Sequence, residues 1–95
     1  YLKALEIDPT YAWAWNGKGL ALAGLGRWPE AITAYEKAVT HNMNDLWFWN
    51  NYGEALMAVK DYRKAVDAYT RASTIDPRHE VTRQRLKQAR DLLGE

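Results

Sequence analysis

Shifted by 34 residues, the sequence falls onto itself without a gap. Tyr1, Tyr35 and Tyr69 align, as do Ala4, Ala38 and Ala72. Trp15 meets Trp49, Gly19 meets Gly53, Leu22 meets Leu56, Trp28 meets Tyr62, Ala31 meets Ala65, and on a second shift Asp8-Pro9 meets Asp76-Pro77. Chance aligns one or two such pairs, not a whole set that keeps aromatic, small and proline classes in place. A period of this length is one supersecondary unit that buries its apolar face by stacking on copies of itself.

Each period reads as two helices. The first runs from about Tyr11 to Gly24, with Trp15, Gly19 and Leu22 on one helical stripe. Gly24, Leu25 and Gly26 supply a stop and a turn. Pro29 suits the first turn of the next helix, where a missing N–H costs nothing, and Ala31, Tyr35, Ala38 and Val39 share one side of it. The second period predicts helices over about Asp45–Ala58 and Tyr62–Thr74, with Asp61 as an N-cap. Residues 1–9 read as the end of a preceding repeat, 12–45 and 46–79 as repeats, and 80–95 as a C-terminal capping helix, with Glu80–Leu93 starting where a third repeat would.

The bulk composition narrows the function. The chain has 95 residues, 47% hydrophobic and 26% charged, as in a single folded domain. A net charge of +1 is small for a chain built to hold phosphates. The absence of cysteine removes disulfides, thiol nucleophiles and thiolate-bound metal. No stretch approaches the roughly 20 apolar residues that span a bilayer, and no signal-peptide pattern opens the chain, so no membrane insertion and a cytoplasmic location are expected. The chain begins at Tyr1 rather than methionine and is expected to be a piece of a longer protein.

The period, the helix–turn–helix unit and the set Trp15, Gly19, Ala31, Tyr35 and Ala38, then Trp49, Gly53, Ala65, Tyr69, Ala72 and Pro77, resemble the tetratricopeptide repeat. The resemblance covers essentially the whole chain. It implies an all-α, right-handed superhelical solenoid of antiparallel helix pairs, about six helices in all. The sequence departs from the family's pattern at Lys18 and Tyr52 before the glycines, at Leu22 and Leu56, at Met43 in place of proline, and at Arg83 and Lys87 in the last helix. On packing grounds, Gly19, Gly53 and the alanines allow close helix approach, and Trp15 and Trp49 fill the core between them; a larger side chain at the small positions would overpack by about 1–3 kcal/mol.

A helix turns about 100° per residue, so Trp13 points about 160° away from Trp15, and Trp47 likewise from Trp49. The resemblance implies that this second face lines a concave groove, because first helices lie side by side inside the superhelix. Its strips are Trp13, Asn16, Gly17, Leu20 and Gly24; Trp47, Asn50, Asn51, Glu54 and Met57; and Val81, Gln84, Arg85, Gln88 and Asp91. The expected peptide-binding residues are Trp13, Asn16, Leu20, Trp47, Asn50, Asn51, Glu54 and Arg85. Tryptophan and arginine are common interface anchors, and asparagine offers both donor and acceptor to a peptide backbone, although it can equally bond a neighbouring helix.

The function implied is a protein-interaction module for a peptide or partner segment carrying apolar or aromatic residues, with one acidic group near Arg85. A subtype of the resembled family grips the C-terminal carboxylates of chaperone tails with a ring of lysines, asparagines and an arginine. Only Asn51 and Arg85 match that ring; Asn16, Leu20 and Val81 depart from it, which leaves too few charges for the full clamp. The alternative is a scaffold or self-association segment, acting through an apolar N-terminal half-repeat of Tyr1, Leu2, Leu5 and Ile7.

Other chemistries lack a constellation. His41 and His79 have no metal-ligand spacing and read as exposed turn residues; no metal or cofactor is expected. No catalytic triad is suggested, and the glycines follow no strand, so neither enzymatic nor dinucleotide chemistry is expected. The last helix is locally basic through Arg78, Arg83, Arg85, Lys87 and Arg90, but the groove aromatics are not interleaved with basic residues. A capping helix with a polar outer face accounts for it without nucleic acid.

Overall fold

The computed structural model describes residues 11–94, and these form five helices: α1 (Ala12–Gly24), α2 (Trp28–His41), α3 (Leu46–Ala58), α4 (Tyr62–Ile75) and α5 (Glu80–Leu93). Each helix packs on the next in chain order, and α1 also touches α3. Among the described residues there is no strand. The fold is the expected all-α solenoid of helix pairs, with α1, α3 and α5 as first helices and α2 and α4 as second helices. The half-repeat expected at 1–9, with its apolar end, lies outside the described residues.

The helix boundaries have local causes. Pro29 sits in the first turn of α2. Asp61 caps α4 by accepting from the Lys64 N–H at 3.3 Å, and Asp45 caps α3 by accepting from Trp47 and Phe48 N–H at 2.9 and 3.2 Å. Helices α1 and α3 both end in a left-handed residue with a bond back to the preceding turn: Arg27 N–H to Leu22 O, and Asp61 N–H to Leu56 O, each 2.9 Å. The left-handed position is Gly26 (φ 75°) in the first repeat and Lys60 (φ 63°) in the second.

The core forms where small residues admit large ones. Ala31, Ala38, Ala65 and Ala72, expected at the helix crossings, are fully buried. The Tyr35 ring lies over Gly19 and the Tyr69 ring over Gly53; a Cβ on either glycine would come within 2.5 and 2.7 Å of the ring. The two glycines are therefore seats for a tyrosine of the partner helix. Trp15 and Trp49 are only half-buried. They close the edges of the core, whereas its centre is held by Tyr69, Phe48, Leu56 and Tyr35 with the alanines. The Trp15 ring lies beneath two ammonium groups, Lys18 and Lys37, at 5.3 and 5.2 Å from its centroid. Trp49 instead donates its indole N–H to the Met43 carbonyl at 2.8 Å.

Candidate functional site on the first-helix face

Trp13 and Trp47 occupy the same place in successive first helices and are 51% and 53% exposed. Val81 stands at the same place in α5 and is also exposed. A row of apolar groups therefore crosses α1, α3 and α5 on one face. Neither indole is loose. Trp13 meets Phe48 edge-to-face at 4.8 Å and 76°, and Trp47 meets His79 at 5.0 Å and 89°. Each ring is held from one side by a residue at the start of the next first helix, Phe48 in α3 or the α5 N-cap His79, and leaves the rest of its surface open.

Leu20 and Glu54, one further register row along, are exposed, as is Arg85. Beneath Glu54 and Arg85 lie the hydroxyls of the inserted tyrosines. Burial, then the nearby Glu54 carboxylate, pushes the Tyr35 phenol up to about 12. Tyr69 is raised by burial; Arg85 beside it offsets part of the rise, and Glu54 adds to it. The Tyr69 hydroxyl is buried with no hydrogen bond of standard geometry. Both phenols therefore stay neutral, and Arg85 remains free of ion pairing among the described residues.

The asparagines divide differently from expectation. Asn16 and Asn50 are 6% and 7% exposed, so neither lines the open face. Asn50 donates to the Leu46 carbonyl at 3.0 Å and to Thr82 Oγ1 of α5 at 2.9 Å. Asn16 accepts from Asn51 Nδ2 at 3.0 Å, joining α1 to α3. The physical reason is the helix turn: these side chains point along the seam toward the next first helix, where a buried amide must be bonded. Asn51, half-buried, is the asparagine that reaches the open surface. Gly17 is likewise buried and forms no part of the groove floor, while Gly24 is exposed.

His79 also differs from its expected role as an exposed turn residue. It is half-buried and is the N-cap of α5. Its Nδ1 accepts from the Thr82 N–H at 3.3 Å and lies 2.8 Å from Thr82 Oγ1. Thr82 is fully buried and is also bonded to Asn50. The imidazole is thereby fixed beside Trp47. Among the described residues, no group of three or more acidic or histidine side chains could hold a metal ion, and no helix is long and apolar enough to cross a membrane.

This geometry has known relatives. Two tetratricopeptide-repeat family models match the sequence, one over residues 1–33 and the other over 18–80. The chain belongs to the tetratricopeptide-repeat family. The heat shock protein sti1 homolog of Schizosaccharomyces pombe is 42% identical over 43 residues, which is 45% of this chain and 7% of that protein's length. Among solved structures, the first TPR of Spaghetti (RPAP3) bound to the HSP90 peptide SRMEEVD superimposes with a TM-score of 0.93 at 20% identity, over 100% of this chain and 75% of that one. MamA superimposes with a TM-score of 0.92 at 23% identity, over 100% of this chain and 56% of that one.

Within the TPR frame, Phe48 is the residue that sequence reasoning missed. It is completely buried and supports Trp13, yet it stands between two tryptophans that drew attention first. A signal was present in the register: Ala14, Phe48 and Thr82 are 34 apart. All three are fully buried at the seam between successive first helices.

Proposed function

We propose that this TPR array is a protein-interaction module that binds an extended peptide or partner segment across the open faces of α1, α3 and α5. The observation that carries the reading is the pair Trp13 and Trp47. They are half-exposed at equivalent positions, and each is pre-set by an edge-on ring from the start of the next first helix. Two held indoles offer flat apolar platforms that lose little side-chain freedom on binding. Leu20 extends the apolar row, and Asn51, Glu54 and Arg85 supply polar contacts beside it. The buried Asn16 and Asn50 hold the helices that carry these groups and would not touch the ligand.

The partner chemistry that fits is a segment with aromatic or apolar residues spaced to meet the two indoles, and an acidic group at Arg85. That another TPR of this fold holds a peptide supports the general mode, while the clamp residues for a chaperone tail are mostly absent here. Peptides selected from a random display library should be rich in aromatic residues and should change the tryptophan fluorescence on titration. Trp13→Ala/Trp47→Ala should weaken the selected peptides by roughly tenfold or more, about 1.4 kcal/mol or above. Unchanged affinity in that double variant rejects this site.

A further inference from the structure

The outer face of α5 keeps the register of a helix seat and changes its chemistry. In α1, Trp15, Gly19 and Leu22 lie on the side that receives the second helix of the pair, and Trp49, Gly53 and Leu56 do so in α3. At the same offsets α5 carries Arg83, Lys87 and Arg90. All three are exposed. Among the described residues, none is in an ion pair or a side-chain hydrogen bond. Lysine in place of glycine also closes the seat to an inserted tyrosine of the kind that Tyr35 and Tyr69 provide.

These cations border a cleft of about 350 Å³ between α5 and the end of α4. Its walls are Ser73 and Pro77 on one side and Arg83, Leu86, Lys87, Arg90 and Asp91 on the other. Three cations against one carboxylate make the cleft positive, and half-buried Leu86 gives it a small apolar patch. Two arginines can each take a carboxylate in a two-point geometry.

We propose that this cleft is a second docking surface, on a different face from the tryptophan row, and that it takes an acidic segment of a partner protein. Charge complementarity selects the occupant. A nucleic acid is disfavoured because no aromatic side chain lines the cleft for a base to stack on, and because three cations neutralise few phosphates. A short run of Asp or Glu with one apolar residue matches both the cations and Leu86.

The test uses the whole chain and an oligo-glutamate peptide as probe, with oligo-lysine and oligo-uridylate as comparisons, followed by backbone amide NMR at low salt. Binding of oligo-glutamate is expected, with shifts centred on Ser73, Arg83, Lys87 and Arg90, weakening as salt is raised. Arg83→Glu/Lys87→Glu/Arg90→Glu should lose roughly tenfold or more in affinity, and Arg85→Glu on the tryptophan face less than about twofold. Because all three sites are exposed, helix content by circular dichroism should be unchanged. No binding at low salt overturns the proposal, as do shifts centred on Arg85 or tighter binding of oligo-uridylate through the same residues. Loss of tryptophan-face binding in Trp13→Ala/Trp47→Ala leaves this surface intact, so the two sites fail separately.

Discussion

The first repeat has alanine at position 14 and the second has phenylalanine at position 48, and both are fully buried at the same place on a first helix. The backbone register decides that this place is buried, and the neighbours decide what fills it. Phe48 gives Trp13 an aromatic edge. Its counterpart in α5 is Thr82, which has a hydroxyl, so Asn50 bonds across the seam to Thr82. Asn16 finds a phenyl ring at that position and accepts from Asn51 instead. Trp47, with threonine in place of phenylalanine nearby, rests on His79. Two repeats with one architecture thus centre their seams on different chemistry, a buried phenyl ring in one and a buried Asn50–Thr82 hydrogen bond in the other.

The largest expected effect breaks the apolar joint. Phe48→Ala removes a fully buried ring and should cost about 3–5 kcal/mol in chemical denaturation, with loss of the Trp13 fluorescence environment. A cost under about 1 kcal/mol would mean that the α1–α3 seam collapses onto the space. The two tyrosine seats come next. Gly19→Ala and Gly53→Ala should each destabilise by about 1–3 kcal/mol, because the new Cβ meets a tyrosine ring that is itself buried. Equal costs would show that the repeats seat their tyrosines alike; unequal costs would locate the softer pair.

Helix starts separate the repeats further. Asp45 caps α3, whereas Tyr11 at the start of α1 provides no side-chain cap. Asp45→Ala should lower stability by about 1 kcal/mol, and Tyr11→Asp should recover a similar amount for α1. Thermal melts of the two variants would check this, and no gain at position 11 would break the equivalence. The smallest effect concerns the turns. Lys60 holds a left-handed conformation that Gly26 adopts freely in the first repeat. Lys60→Gly should stabilise by about 1 kcal/mol or less and Gly26→Lys should do the reverse, read as shifts in denaturation midpoint.

Much of this molecule was legible in the residues. The four helices with predicted spans fall within a residue or so of them, and Pro29 lies in the first turn of α2 as expected, because capping aspartates, Pro29 and turn residues act locally. The opposed faces of Trp13 and Trp15 followed from helical geometry alone, and the structure leaves Trp13 half-exposed with Trp15 at the core's edge. The site was read less fully. Asn50 and Asn51 are neighbours in sequence and about 100° apart on the helix, and that angle is enough to bury one and leave the other half-open. Asn16, at the register position of Asn50, is buried as well, so the stacking of the next first helix buries this position, and Asn50 there meets Thr82, 32 residues away.

The period, the helix pairs and the small-residue seats rest on spacing and side-chain volume, and so are readable from the residues alone. Which groups of that repeat remain available depends on how the repeats stack. Trp13 and Trp47 keep an open face because each is propped from one side by a residue at the start of the next first helix. Asn16 and Asn50 are withdrawn because the seam between first helices is buried, and a buried amide there must find a partner. His79 passes from a turn residue to a cap and a prop because stacking the third first helix brings it against Trp47.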